Sequence, residues 1–171
     1  VKNQFVELPI PTRDGRFTAR YSEKGLAELG FPKAGTPRRG VRTSPHDVPA
    51  VLADRVIRWH HATEDALNRI LAGREAKNLP PLDLIAGTDF QQAVWREIRK
   101  ISPGKTKSYR EIAQAIGKPK AVRAVGGACG ANPIPVLVPC HRVLAAHGKI
   151  GGFGGGLAWK RRLLAREGVS M

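Results

Sequence analysis

Cys140 and His141 stand side by side in Pro139-Cys140-His141-Arg142-Val143, directly after the apolar run Ile134-Pro135-Val136-Leu137-Val138. A thiol is a useful nucleophile only as its thiolate, and an imidazole is the usual group that takes its proton. Positive charge from Arg142 is expected to lower the thiol pKa and raise the thiolate fraction. Against this, a solitary cysteine is most often a small buried hydrophobe, and neighbours on an extended chain point to opposite sides. Contact between thiol and imidazole therefore calls for a turn or a bridging water. Glu167, in Ala165-Arg166-Glu167-Gly168, is an acid near a helix C-terminus, where the dipole disfavours it, so a specific partner is expected. Asn132, before Pro133, reads as a turn asparagine tied to local backbone.

The elements that must hold these residues can be read from periodicity. Residues 5–11, 17–21 and 26–31 read as strands of an antiparallel sheet, with turn signals at Asp14-Gly15 and Glu23-Lys24-Gly25. Residues 32–49 hold four prolines and read as a loop. Leu52, Val56, Trp59, Ala66 and Ile70 lie near one helical stripe that Gly73 ends. Pro80-Pro81 marks a linker, dividing an N-terminal α/β domain with linker (1–86) from a C-terminal domain (87–171). Thr88 and Gln91 fit a capping box ahead of Phe90, Val94, Ile98 and Ile101. Ser108 and Glu111 fit a second, with Ile112 and Ile116 facing inward and Gly117 as the stop. Pro119 suits the first turn of the next helix, which carries Val122, Val125 and Cys129 on one stripe. Helix, Gly-containing turn and helix is the pattern of a helix-turn-helix, and equally of an ordinary helical hairpin. Residues 134–138 read as a buried strand, His147-Gly148 as a hairpin turn, and about 157–167 as a last basic helix. The fold class is α+β.

Charge points to a partner. The net charge is +15, and residues 87–171 hold 15 Lys/Arg against 4 Asp/Glu, while residues 1–86 hold 14 against 10. A basic half of this kind favours a polyanion such as nucleic acid, although a merely solvated surface has the same composition. No run of roughly 18 apolar residues is present, so no membrane span is expected, and no signal-peptide core is seen. A start at Val1 leaves room for a missing initiator or leader. Two cysteines are too few for a disulfide framework, so a reducing, intracellular setting is expected: cytoplasm in a prokaryote, nucleus in a eukaryote. His46, His60 and His61 lack ligand spacing, so no metal is expected. The glycine run 151–156 lacks the Gly-Lys-Ser/Thr ending of a phosphate loop. Nothing calls for an oligomer, and a monomer is expected.

Over residues 88–168 the chain closely resembles the 6-O-alkylguanine-DNA alkyltransferases, also called methylated-DNA–protein-cysteine methyltransferases. The matching motifs are Pro139-Cys140-His141-Arg142-Val143, Ser108-Tyr109, Ala121-Val122-Arg123-Ala124-Val125-Gly126-Gly127 and Phe153-Gly154-Gly155-Gly156-Leu157-Ala158-Trp159-Lys160, in the family's order. The N-terminal domain matches only in outline. The resemblance implies a ribonuclease-H-like first domain and a winged-helix-like second one. It implies that Cys140 accepts an alkyl group from 6-O-methylguanine, and secondarily 4-O-methylthymine, in double-stranded DNA after the base is flipped. The thioether formed is permanent, so each molecule acts once, with no cofactor. His141 would act on the thiol through a water, Glu167 would orient His141, Asn132 would tie the turn to the 134–138 segment, and Tyr109 would approach the flipped base. Arg123 would fill the space the base vacates, with Ala121, Val122, Lys120, Tyr109 and Arg142 along the DNA-binding face. Pro135, Val143, Phe153, Gly154, Gly155 and Lys160 would line the base pocket. Two departures stand out: Gly154 replaces a hydroxyl residue, and Phe153 replaces an aromatic that bears one. Some relatives hold zinc in the first domain, and this chain lacks the cysteines for it. Such chemistry requires space for a nucleobase beside the sulfur.

Three rival readings remain. A non-catalytic binder of alkylated DNA would share the helices but lack the acceptor cysteine. A helix-turn-helix regulator would explain the charge but not the Cys-His-Glu set. A cysteine hydrolase would explain the nucleophile but not the basic half.

Overall fold

The structure, a computed structural model, describes residues 5–32 and 50–171. His46 and nearly all of the expected proline-rich loop lie outside the described residues. Strands β1 (Val6–Thr12), β2 (Gly15–Ser22) and β3 (Gly25–Gly30) form an antiparallel sheet in chain order. Alternation along β2 turns Phe17, Ala19 and Tyr21 into the core, as half-buried strands require. Arg13-Asp14 forms the two-residue loop from β1 to β2, pinned by a Thr12 hydroxyl that accepts from Asp14 N–H at 3.1 Å and donates to Gly15 O at 2.7 Å. The edge of β3 is covered by the linker: Leu26 N–H donates to Pro81 O at 2.8 Å and Asp83 N–H to Leu26 O at 2.7 Å.

Helix α1 (Ala50–Leu71) packs on this sheet through Leu52, Val56, Leu67 and Ile70. It ends where Gly73 takes φ +74° and Arg74 N–H reaches back to Arg69 O at 2.9 Å, a conformation glycine adopts at little cost. Helix α2 (Asp89–Ile98) opens with both bonds of the expected Thr88/Gln91 capping box. Strand β4 (Lys107–Ser108) leads into α3 (Tyr109–Ala115), whose Ser108/Glu111 box is also complete. Gly117, φ +70°, closes α3, with Lys118 N–H on Ala113 O at 2.9 Å.

Helix α4 spans Val122–Gly130. It begins later than Pro119 predicts, because Pro119 sits inside a β-turn closed by Ala121 N–H on Lys118 O at 2.8 Å. Helices α2 and α4 are tied by Trp95 Nε1, which donates to Ala128 O at 2.8 Å. Strand β5 (Val143–Leu144) pairs in parallel with β4, and α5 (Leu157–Arg166) follows the glycine loop. His147 and Gly148, both at positive φ, form a tight turn closed by Ala145 N–H on Lys149 O at 2.8 Å, without hairpin strands around it. One continuous set of buried apolar side chains runs from the sheet through α2, α4 and the acceptor segment to Leu163. The architecture is α+β, with an N-terminal antiparallel sheet followed by helices.

Candidate active site

The segment expected to be a buried strand, 134–138, is instead a buried turn. Val138 N–H bonds to Ile134 O at 2.9 Å, and Val136 takes φ +76°, a conformation that strains a β-branched residue by about 1–3 kcal/mol. A continuous apolar run marks burial, and burial does not choose between strand and turn. Pro139 then adopts φ −80°, ψ 61°, and Cys140 N–H bonds to Val138 O at 2.8 Å. That is an inverse γ-turn, for which proline is already set. It feeds a single 3-10 turn, Cys140–Arg142. The chain around the thiol is therefore not extended.

Asn132 does more than tie the turn. Its Nδ2 donates to Val138 O at 2.8 Å and to Cys140 Sγ at 3.0 Å, while its Oδ1 accepts from Ile134 N–H at 3.0 Å. It both braces the turn and touches the sulfur. Burial pushes the Cys140 thiol up, and the Asn132 bond and Lys160 charge only partly oppose it. The expected depression by positive neighbours is not found, because the nearest cation in sequence, Arg142, spends its charge elsewhere. The resting group is the thiol.

His141 is fully buried, and its Nε2 lies 3.0 Å from Glu167 Oε1. Burial pushes its pKa down against the pull of Glu167. Burial alone would raise the Glu167 carboxyl, but hydrogen bonds from His141 and Arg142 hold it down at about 2. A carboxylate only accepts, so Nε2 carries the imidazole proton and Nδ1 carries the lone pair. Nδ1 is the one buried side-chain N or O atom among the described residues with no hydrogen-bond partner.

Arg142 was expected on the DNA face, and its side chain is turned inward instead. Its Nε lies 3.0 Å from Glu167 Oε2, its Nη2 2.8 Å from Oε1, and its Nη1 donates to Ile101 O at 2.6 Å. A guanidinium that is 6% exposed and pairs this way is directed into the protein and away from phosphate. Lys160 is also fully buried; its Nζ donates to Val143 O at 2.6 Å and Gly152 O at 3.2 Å. It pins the glycine loop to β5 and cannot serve as an exposed charge.

Tyr109 is half-buried at the start of α3, close to the loop: a Cβ on Gly151 would lie 2.8 Å from its hydroxyl. Burial, followed by the nearby Cys129, raises its pKa. Phe153 packs edge-on to His141 with centroids 6.5 Å apart and to Phe31 at 5.6 Å. Gly155 faces Phe31, whose ring would meet a Cβ at 2.5 Å, so the loop admits no side chain there. Gly154, Arg123 and Lys120 are exposed; Ala121, Val122 and Pro135 are half-buried; Val143 is buried. The expected opening for a nucleobase is not present as such: Cys140 is 3% exposed. A cleft of about 460 Å³ touches Pro139 and Arg142 from behind, without Cys140 or His141 in its lining. The thiol's neighbour is nonetheless a polar amide, and the loop beside Tyr109 is mostly exposed glycine.

The network around Glu167 was only half foreseen. Arg142, Ile101 O and Gly104 N–H (3.3 Å from Oε2) complete it. The one available signal was an arginine next to the Cys-His pair.

The family model described as 6-O-methylguanine DNA methyltransferase, DNA binding domain, matches residues 89–169. The methylated-DNA–protein-cysteine methyltransferase of Mycobacterium tuberculosis H37Rv is 53% identical over 103 residues, 60% of this chain and 62% of that protein. The bifunctional transcriptional activator/DNA repair enzyme Ada of Escherichia coli K12 is 46% identical over 104 residues, 59% of this chain and 29% of that protein. The matched stretch thus spans less than two thirds of these relatives. A crystal structure of Mycobacterium tuberculosis OGT in complex with DNA superposes with a TM-score of 0.73 at 39% identity, covering 93% of this chain and 90% of that one. With a likeness of that extent on both chains, the protein belongs to the 6-O-methylguanine-DNA methyltransferase family.

Proposed function

We propose that this protein repairs double-stranded DNA by moving the alkyl group of 6-O-methylguanine, and secondarily 4-O-methylthymine, onto Cys140, once per molecule. The observation that carries the reading is the unpartnered Nδ1 of His141, a neutral base held by Glu167 at 3.0 Å in the residue next to the thiol. The Cys140 proton passes to Nδ1 through a bridging water, and the Glu167 carboxylate, held in place by Arg142, stabilises the imidazolium. Sγ forms a bond to the alkyl carbon as the carbon–oxygen bond to the base breaks. The electron pair leaves on the base, where Tyr109 and loop amides offset the developing charge. Asn132 keeps Sγ on line. The product thioether has no neighbouring group able to cleave it.

A base inside a duplex cannot reach a sulfur this deep, so it must be flipped, at a cost of a few kcal/mol. The closed site means that the glycine loop and Tyr109 give way as the base enters. Exposed Arg123 at the start of α4 fills the vacated space, with Ala121, Val122 and Lys120 against the backbone. On this reading α3 and α4 are a helix-turn-helix in a winged-helix-like unit, residues 87–171, and residues 1–86 are a ribonuclease-H-like support. The protein works as an intracellular monomer.

Incubation with a methylated duplex, then mass spectrometry of the Cys140 peptide, tests this. One added methyl on Cys140 supports transfer. DNA binding with an unmodified peptide favours the non-catalytic binder or regulator. Turnover of an ester or peptide favours the hydrolase.

A further inference from the structure

The C-terminal end of α5 is held by the N-terminal sheet. Asp14 Oδ2 lies 2.7 Å from Arg166 Nη1 and Oδ1 lies 2.8 Å from Nη2, a parallel two-bond pair between residues 152 apart in sequence. The Asp14 side chain is 9% exposed, and Arg162 Nη1 stands 3.6 Å from it. Its own loop is rigid, because Thr12 bonds both Asp14 N–H and Gly15 O. The preceding Arg13 donates to Leu71 O at 2.6 Å, so the same two-residue loop also grips the end of α1. From that side Gly73 abuts α5 closely enough that a Cβ would lie 2.1 Å from Arg166 O. The residue after Arg166 is Glu167, which carries the bonds to His141 and Arg142.

We infer that Asp14 is a positioning residue for the thiol relay: paired with Arg166, it fixes the end of α5 at the place from which the Glu167 carboxylate meets His141. This rests on reading Cys140 as the acceptor and Glu167 as the partner of its base. Glu167 is the C-cap of α5, and a helix end is the part of a helix that frays most readily. A carboxylate on a fraying end would spend part of its time away from a buried imidazole. The β1–β2 loop and the end of α1 remove that freedom, the first through one ion pair and the second through one close backbone approach. The N-terminal domain thereby enters the chemistry without contributing a group that touches the substrate.

The test uses the full chain, a methylated duplex and single-turnover kinetics. Asp14→Ala should slow the first-order transfer step at saturating DNA by about tenfold, since small displacements of a catalytic group cost up to ~100-fold. DNA affinity should stay within about twofold, because Asp14 lies in the β1–β2 loop and not on α3 or α4. Arg166→Ala should do the same, and the double variant should be no slower than the slower single one. Asp14→Glu, which keeps the carboxylate, should recover about half of the lost rate. The downfield proton signal of the His141–Glu167 bond in NMR should broaden in Asp14→Ala and return in Asp14→Glu. A merely structural pair would lower the melting temperature and leave rate and signal unchanged in folded protein; that result overturns the inference. Should Asp14→Ala fail to fold, Asp14→Asn carries the same readouts. Glu167→Gln separates the two levels. If it transfers at the wild-type rate, the relay reading falls. If it is slow while Asp14→Ala matches wild type, only the positioning role falls.

Discussion

Two buried polar clusters, one in each half of the molecule, each hold a histidine, and they differ in whether every buried polar atom is paired. In the N-terminal half Tyr21 donates to Thr63 Oγ1 at 2.9 Å, Thr63 donates to Trp59 O at 2.7 Å, and His60 Nδ1 lies 3.2 Å from the Tyr21 hydroxyl. In the C-terminal half Cys140, Asn132, His141, Glu167 and Arg142 form the second cluster. Both contain a histidine whose pKa burial lowers. The Tyr21 cluster is closed: its buried side-chain polar atoms have partners. The Cys140 cluster leaves His141 Nδ1 open. Buried polar groups are nearly always satisfied, so an exception beside a nucleophile marks chemistry, while a closed chain marks structure.

The comparison is broken most completely at the thiol. Cys140→Ala should abolish transfer and leave binding of alkylated DNA, as seen by mass spectrometry beside a gel-shift titration; residual transfer would remove Cys140 from its role. Glu167→Gln should slow transfer by about 10²–10³, the range of a lost acid–base system. Deleting the carboxylate with Glu167→Ala should also cost about 3–5 kcal/mol in urea unfolding, because Arg142 is left charged and buried. Arg123→Ala should reduce repair rate more than bulk DNA affinity; equal losses would make it a phosphate contact. At the small end, Tyr21→Phe should cost about 1–2 kcal/mol of stability through the lost bonds of its hydroxyl to Thr63 and His60, with no change in transfer rate.

Titration sharpens the contrast further. Burial lowers the His141 pKa, so the base is neutral above a value that itself lies under the ordinary 6.5. Transfer should therefore persist below pH 6.5 and fall only with further acid. Glu167 shifts from 4.5 in the unfolded chain to about 2 in the folded one, so its contribution to stability is full above 4.5 and fades as pH drops toward 2. Cys140 is raised by burial, so its reaction with iodoacetamide at pH 8 should be slower than that of glutathione. Faster labelling would mean a thiolate at rest.

Local signals were read well where the physics is local. Both capping boxes form, Gly73 and Gly117 stop their helices, and the strand alternation of residues 17–21 faces the core, since each depends on groups within a few residues. The reading failed where long-range contacts decide. The 134–138 segment is buried and apolar as a core strand would be, but Asn132 and the Pro139 γ-turn fold it back. Arg142 is a cation in a basic half and is expected on the DNA face; the fold turns it inward onto Glu167.

The amino-acid order alone determined which atoms can react: a cysteine beside a histidine, a distant glutamate, a basic second half and motifs shared with one family. These follow from residue type and from spacing short enough for the chain itself to impose. Only the tertiary structure decided the state of those atoms. Burial keeps the thiol protonated and the imidazole neutral, Glu167 selects the tautomer from 26 residues away, and Asp14 reaches Arg166 across 152. Desolvation and ion pairing depend on what surrounds a group in space, and that is settled only when distant segments pack together.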